Sequence, residues 1–508
     1  MARDETVRAV VIGSGFGGAV AALRLAQAGI DTIVLERGRR WEITPEQDTF
    51  CTYRKPDGRA AWLRATAPLF EEAPVAIYTG IIERIDADGI RVWCAAGVGG
   101  GSLVYNAVLY QPTRENFYRV FPDTVDYEQM DEVFYPRVAS LLKPSPMPPD
   151  ILASDYYKST RMFMEQATNA GLPNHLLNVA VDWNVIREEI QGQKKPSAIV
   201  GEIWYGINSG AKNSLDRNYL AQAEKSGHVE VLPLHIVTDI TEVPGTGFRV
   251  TYDRINEAGE VLATQSITCH SLFLGAGSMG TSALLVRAKA RGTLSRLNDA
   301  IGQGWANNGD TFATRSGLPT TNPGQGGPAG AVIQHFDNPF GPVSIISYPE
   351  WDAPEGTLTS LGMGRPQQTG SFSYNAATDA IQLTWQADAP GNKQVLDAMD
   401  YTYKQLDDKN VTSYQHHFAG SFFTKPQTHA LAGMTAHPLG GAVMGKACDL
   451  YGRVKGYQGL YVVDGALIPG SAACCNPSFT IAAFAERCLD TIVAEDILTK
   501  KGAEASLV

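Results

Sequence analysis

The feature that most constrains this chain lies between residues 7 and 36. Val7 to Ile12 (VRAVVI) is an apolar, β-branched run of the kind that forms a buried parallel strand. It leads directly into Gly13-Ser14-Gly15-Phe16-Gly17-Gly18, and then into Ala19 to Ala28, rich in helix formers and stopped by Gly29. Asp31 to Leu35 (DTIVL) predicts a second strand, closing on Glu36. Strand, GxGxxG, helix, strand, acid is the order of a dinucleotide-binding unit. Gly13 allows the tight turn, Gly15 lets the backbone approach a pyrophosphate, and Gly18 permits close helix–sheet packing. The helix N-terminus offers N–H groups to phosphates, and Glu36 can accept from ribose hydroxyls. An acid at position 36 disfavours a 2′-phosphate. A plain Gly-rich βα turn is the alternative, and the complete context outweighs it.

The 508-residue chain has room for two or three domains at roughly 100–200 residues each. A formal charge of −11 argues against a nucleic-acid partner, which would need a basic face. The seven Cys are odd in number and form no CxxC pair, so neither a disulfide framework nor a metal site is expected. Adjacent Cys474 and Cys475 read as buried small residues. The chain enters a strand within a few residues of Met1 and holds no run of about 18 apolar residues. That predicts a cytoplasmic enzyme without a transmembrane segment, with a secreted mature form left open. The oligomeric state is not readable.

Glycine usage typical of a ligand cradle recurs far from the first motif. Ala95 to Val108 (AAGVGGGSLVYNAV) suggests backbone lying against a planar ligand. Ser271 to Gly277 (SLFLGAG) predicts a buried strand ending in a Gly turn, and His437 to Gly441, Gly459 to Gly470 and Asn476 to Ile481 repeat the pattern. A C-terminal helix is expected from about Ile481, a further helix over Lys212 to Ala223, and a strand over His228 to Thr238. Phe248 to Asp253 and Val261 to His270 read as meander strands, 316–345 as a loop-heavy excursion, and Gly370 to Trp385 as a hairpin. Dinucleotide elements at both ends imply a cofactor domain assembled from distant segments, with a substrate domain inserted. That favours FAD over NAD. The expected cofactor domain is 1–45, 80–145, 205–315 and 430–508. The expected substrate domain is 46–79, 146–204 and 316–429.

GSGFGG, GVGGGSLV at 97–104, SLDRNYL at 214–220, LFLGAGSMG at 272–280, HPLGG at 437–441, YVVDGALIPG at 461–470 and NPSFTI at 476–481 occur in this order. In this combination the chain resembles the glucose–methanol–choline (GMC) oxidoreductase family. Within that family it is similar to the bacterial cholesterol oxidases of the non-covalent FAD type. The resemblance implies an α/β fold: a Rossmann-like FAD-binding domain with an inserted substrate domain on a mixed, mainly antiparallel six-stranded sheet. It implies non-covalent FAD held by Gly13, Gly15, Gly18, Glu36, Gly97, Gly100, Gly101, Ser102, Asn106, Val237, Gly275, Asp464, Gly465, Asn476, Pro477 and Phe479. It also implies three catalytic residues: His437 handling the hydroxyl proton, Asn476 orienting the substrate, and a Glu serving double-bond isomerisation. Glu355 is the nearest match for that Glu, and Glu350 the rival.

Three departures bear on the substrate. Tyr105-Asn106-Ala107-Val108 stands where sterol oxidases of this type commonly show Asn-Gly-Gly-Met, which puts Tyr105 and Val108 in the substrate pocket. The lid segment 66–80 looks short and carries Glu71 and Glu72, and the Cys pair adds a residue before Asn476.

The side chains support the same chemistry. An imidazole titrates near pH 6.5 and can take a hydroxyl proton near neutrality. His437 lies in a Gly-flanked turn rather than on an apolar helix face, and His416 and His417 are weaker pocket candidates. Asn476 precedes Pro, which biases it to extended geometry; its amide can serve substrate or flavin, or cap a helix. The leading expectation is an FAD-dependent oxidase of a bulky, steroid-like secondary alcohol, giving ketone and hydrogen peroxide. The partners are then a hydrophobic alcohol and O2. The alternatives are a dehydrogenase passing electrons to another acceptor, and a flavin-binding scaffold without turnover.

Overall fold

The architecture comes from a computed structural model that describes residues 6–69, 73–417 and 433–498. Glu71 and Glu72 lie outside the described residues.

The central sheet runs Val229–Leu232, Thr32–Leu35, Thr6–Ile12, Val261–Leu274, Gly247–Ile255, His235–Val243, with Leu460–Val462 added beside Val261–Leu274. Thr6–Ile12 pairs in parallel with Thr32–Leu35 on one side and with Val261–Leu274 on the other. The meander strand and the SLFL strand expected separately are one 14-residue strand. Its first half is antiparallel to Gly247–Ile255, and its second half, with every residue of 271–274 buried, joins the parallel layer.

The carboxyl ends of these parallel strands converge. Gly13 follows the first strand, Glu36 the second, Gly275 the third, and Val463 and Asp464 follow Leu460–Val462. A ligand crevice is expected at such a meeting of strand ends. Helix Phe16–Gln27 covers the sheet and is buried at nine of its positions. Against it packs helix Pro477–Ile492, tied by Glu486, which is fully buried and accepts from Arg24 Nε at 2.6 Å, Arg24 Nη2 at 2.7 Å and Tyr219 OH at 2.8 Å. Removing one partner from such a buried pair costs about 3–5 kcal/mol. The tie fixes the helix whose first residues reach the crevice.

A second, six-stranded sheet runs Ser413–His417, Thr311–Ser316, Leu358–Met363, Val343–Ser347, Ala331–His335, Asn174–Leu176, with every pairing antiparallel. Period-2 alternation divides it. Ala313, Ile333, Val343, Ile345 and Leu358 pack against helices Lys158–Asn169 and Pro390–Asn410. Phe312, Val332, Ile346 and Leu361 join the core on the cofactor side.

Several local expectations shift. Strand Ala331–His335 and the first three residues of Val343–Ser347 lie inside the stretch 316–345 read as loop. The strand expected over 228–238 is two, broken at Pro233, which has no N–H to pair, and at Leu234 with φ +60°. The helix expected from Lys212 begins at Tyr219, because the Asn218 side chain accepts from the Tyr219 N–H and starts it there. Helix Pro477–Ile492 begins four residues before Ile481. The hairpin Gly370–Asn375 and Ala380–Thr384 forms, and pairs with Gln303–Trp305 in a separate small sheet. Among the described residues no helix is long and apolar enough to cross a membrane. Cys474 and Cys475 are both buried.

Candidate active site

One continuous cavity of about 510 Å³ runs from Glu36 to the pair His437 and Asn476. Its walls come from the strand ends described above, and three glycine loops cross with no room for side chains. A Cβ on Gly13 would lie 2.5 Å from the Gly275 carbonyl oxygen, one on Gly17 2.0 Å from that of Val463, and one on Gly100 2.6 Å from the Gly15 Cα. Gly13 and Gly100 also take positive φ, at +87° and +53°. Such crossings press backbone N–H groups against whatever fills the cavity, as a pyrophosphate requires.

Gly13, Gly15, Glu36, Gly100, Gly101, Asn106, Val237, Gly275, Asp464, Gly465, Asn476 and Pro477 line the cavity, as do Tyr105 and Val108. Glu36 is buried and accepts from Ser14 N at 3.0 Å, Ser14 Oγ at 2.6 Å and Gly38 N at 2.8 Å, which aims the carboxylate at the crevice. Asp464 is more a brace than a ligand: it accepts from Gly277 N, Thr281 Oγ1 and Ala466 N. Burial lifts its carboxyl to about 6, with those bonds pulling the other way.

Gly18, Gly97, Ser102 and Phe479 stand behind the lining. Gly18 packs on the Gly13 carbonyl, where a Cβ would lie 2.0 Å away, so its place is helix–sheet contact. Ser102 donates to Gly99 O at 2.7 Å and accepts from Leu215 N at 2.9 Å, holding the glycine loop from outside. Gly97 accepts from Ser14 Oγ, and the Phe479 ring lies 4.8 Å from that of Tyr135 in the core.

At the other end the chemistry concentrates. Met434–Thr435 pairs in parallel with Arg91 and Val92, delivering His437 to the cavity wall. His437 Nδ1 lies 2.8 Å from Asp310 Oδ1, and Asp310 Oδ2 accepts from Thr435 Oγ1 at 2.7 Å. The Asp310 side chain is fully buried and His437 is 16% exposed, so the pair is shielded from solvent. With Nδ1–H donated to a carboxylate, the lone pair sits on Nε2. Nε2 lies 3.5 Å from Asn476 Nδ2. The Asn476 side chain makes no capping bond to its helix, and its buried Oδ1 has no hydrogen-bond partner. It faces the cavity instead, so the capping alternative does not hold.

Asp310 is the member that sequence reading missed. The turn Asn307-Asn308-Gly309 holds both halves of the site. Asn308 is buried at φ +59°, donates to Cys475 O at 3.0 Å and accepts from Ala472 N at 2.8 Å. The same turn therefore clamps the loop before Asn476 and delivers Asp310 to His437. The signal was an acid closing WANNGD, before an apolar strand.

Glu355 is not brought to this site. It is exposed and accepts from Asn322 N, Gly356 N and the Thr321 backbone and hydroxyl; desolvation is the largest single influence and pushes its carboxyl up, but these bonds together outweigh it and hold the carboxyl below the usual range. A carboxylate ordering a surface loop lacks the desolvated setting a proton-moving base needs. The rival Glu350 is buried, 1% exposed, but is not itself in the lining. His416 is bound to Asp400 at 2.6 Å, outside the lining.

The substrate side is apolar: Leu69, Val108, Trp204 and Leu361 face it. Within the segment 66–80 the described residues pair across it, with Thr66 bridged to Pro74 and Val75 N donating to Ala65 O at 2.9 Å.

The cavity thus carries a ribose acceptor at one end, a proton acceptor at the other and a phosphate cradle between them, and FAD fits this set of residues. Residues 366–485 match the family model described as GMC oxidoreductase, and 8–44 the model described as FAD binding domain. Over these residues the chain is similar to the GMC oxidoreductases. A cholesterol oxidase of Mycobacterium tuberculosis (strain CDC 1551 / Oshkosh) is 26% identical, over 94% of this chain and 89% of the relative. A cholesterol oxidase of Acinetobacter baumannii is 24% identical, over 97% and 95%. Among solved structures, a pyridoxine 4-oxidase from Mesorbium loti superposes with TM-score 0.67 at 14% identity, over 96% of this chain and all of that one. A fungal aryl-alcohol oxidase superposes with TM-score 0.66 at 13% identity, over 96% and 99%. Together these similarities make the chain an FAD-dependent alcohol oxidoreductase.

The residue sequence 97–106 of this oxidoreductase holds no His to carry a covalent bond. The purified protein is therefore expected to be yellow, and acid precipitation to release the flavin into the supernatant. Colour retained in the pellet would contradict a non-covalent cofactor.

Proposed function

We propose that the protein oxidises the secondary hydroxyl of a bulky, polycyclic, steroid-like alcohol, with the overall balance alcohol plus O2 giving ketone plus hydrogen peroxide. The observation that carries this reading is the shielded triad of Asp310, His437 and Asn476 beside an apolar wall at the far end of the dinucleotide cavity. Relatives that bear the name cholesterol oxidase over most of their length favour a polycyclic alcohol.

FAD supplies the hydride acceptor that no ordinary side chain can provide. The protein's own groups do the rest. His437 Nε2 accepts the hydroxyl proton as the C–H bond breaks, and Asp310 stabilises the imidazolium that forms. Asn476 Nδ2, 3.5 Å from Nε2, donates to the substrate oxygen and fixes it beside the base. Leu69, Val108, Trp204 and Leu361 exclude water and hold the ring system. Glu355 takes no part, and isomerisation does not belong to the proposal.

The pocket is not shaped for a long alkyl tail. Tyr105 lines the cavity and meets Phe16 edge-on, with ring centroids 5.6 Å apart, so its bulk is braced. Overfilling a packed site costs about 1–3 kcal/mol. A steroid without the side chain should therefore show a higher kcat/KM than cholesterol, with peroxide equal to ketone formed under air. Tyr105→Asn should raise activity on the larger alcohols and leave FAD content unchanged. Cholesterol ranking first would sink the size argument, and turnover without peroxide would show a different electron acceptor.

A further inference from the structure

The carboxylate behind the imidazole has two oxygens, and the proposed reaction uses one of them. Asp310 Oδ1 meets His437 Nδ1 at 2.8 Å. Asp310 Oδ2 accepts from Thr435 Oγ1 at 2.7 Å, and Thr435 is wholly buried. A buried threonine often bonds only to its own backbone neighbours. This one reaches a carboxylate 125 positions away in the sequence.

A hydroxyl carries one proton, and its surroundings decide where that proton goes. The His437 backbone N–H donates to Thr435 Oγ1 at 2.9 Å and occupies one of its lone pairs. Two acceptors then lie within reach of the hydroxyl proton: Asp310 Oδ2 at 2.7 Å and the Asn307 carbonyl at 3.4 Å. The nearer oxygen carries charge, and a hydrogen bond to an ionised acceptor is roughly twice as strong as a neutral one, so the proton goes to Asp310. The bonds close a ring. It runs from the His437 backbone to Thr435, from Thr435 to Asp310, and from Asp310 back to the His437 imidazole. The ring matters because the terminal torsion of an aspartate is soft. Held at one oxygen, the carboxylate can turn about that bond; held at both, it presents Oδ1 to Nδ1 in one orientation. Thr435 is itself fixed, since Met434–Thr435 pairs with Arg91 and Val92.

We propose that Thr435 is a positioning residue of the alcohol oxidation: its hydroxyl fixes the Asp310 carboxylate so that His437 keeps Nε2 free for the substrate proton. The inference rests on the reading of His437 as the group that takes that proton. Thr435 touches neither substrate nor FAD and does not line the cavity. It acts through Asp310, so its loss changes the rate of flavin reduction and leaves binding as it was.

The test uses the FAD-loaded enzyme, mixed without oxygen with a polycyclic secondary alcohol, and follows flavin bleaching. Thr435→Val keeps the shape of the side chain and removes the hydroxyl. It should slow reduction about 10- to 100-fold, the range for a lost hydrogen bond to a charged group. An unreactive product-type ketone, read from the flavin absorbance, should bind Thr435→Val as tightly as the parent. Thr435→Ser and Thr435→Ala both lose the methyl and differ in the hydroxyl alone. Ser should therefore reduce its flavin within about threefold of the parent and Ala as slowly as Val, a pair that carries the test if Thr435→Val does not hold FAD. In an Asp310→Asn background Thr435→Val should cost less than about threefold more, because the two act as one unit. Parent-like reduction by Thr435→Val, equal rates for Ser and Ala, or a full additive loss in the Asp310→Asn background overturns the role of Thr435. If the parent's own flavin is not reduced by any such alcohol, the reading of the site falls and takes this inference with it. A parent that bleaches beside a Thr435→Val that bleaches equally fast removes Thr435 alone.

Discussion

Replacing His437 by Ala leaves FAD bound and slows anaerobic flavin reduction by roughly 10²–10⁴-fold, the range for lost acid–base help. His437 sits at the end of the cavity opposite Glu36, and no glycine crossing depends on its side chain. FAD content should therefore match the parent protein. Unchanged reduction kinetics would mean that another group takes the hydroxyl proton, and loss of FAD would mean that the imidazole is structural.

Asp310→Asn is expected to be nearly as damaging. The buried carboxylate accepts the Nδ1 proton at 2.8 Å and leaves Nε2 free. An amide in its place can donate to Nδ1, which moves the imidazole proton to Nε2 and blocks the acceptor, and it carries no charge to stabilise the imidazolium. The equivalent exchange in hydrolase triads costs roughly 10⁴-fold; a loss of about 10²–10⁴-fold is expected here. Asp310 acts through His437, so the two changes should not add: the double variant should reduce its flavin no more slowly than His437→Ala alone. An additive double variant would assign Asp310 a structural role instead.

Much of this site is legible in the sequence because the demands are local. Gly13 and Gly100 take backbone conformations that glycine adopts freely, and Glu36 follows its strand at a fixed distance from the first turn. His437 and Asn476 stand out because each sits in an irregular segment where no packing role competes for it. Asp310 is different. Its partner is 127 positions away, and only the folded turn at 307–309 brings them together. Strands Ala331–His335 and Val343–Ser347 were hidden by neighbouring glycines and prolines, since their neighbours in the sheet, not their flanks, make them strands. Glu355 was chosen by its place in the sequence; the structure turns it to solvent and to the turn at 321–322. Whether a carboxylate faces a cavity or a loop depends on tertiary context that a single sequence does not carry.

The central claim is that the Asp310–His437–Asn476 end of the cavity oxidises an alcohol by means of FAD bound along the glycine loops. It is tested most directly by mixing the holoenzyme with a polycyclic secondary alcohol in the absence of oxygen and following the flavin absorbance. The account predicts that the yellow colour bleaches, with one ketone formed per flavin. A flavin that stays oxidised across a panel of steroids and other bulky alcohols would contradict it.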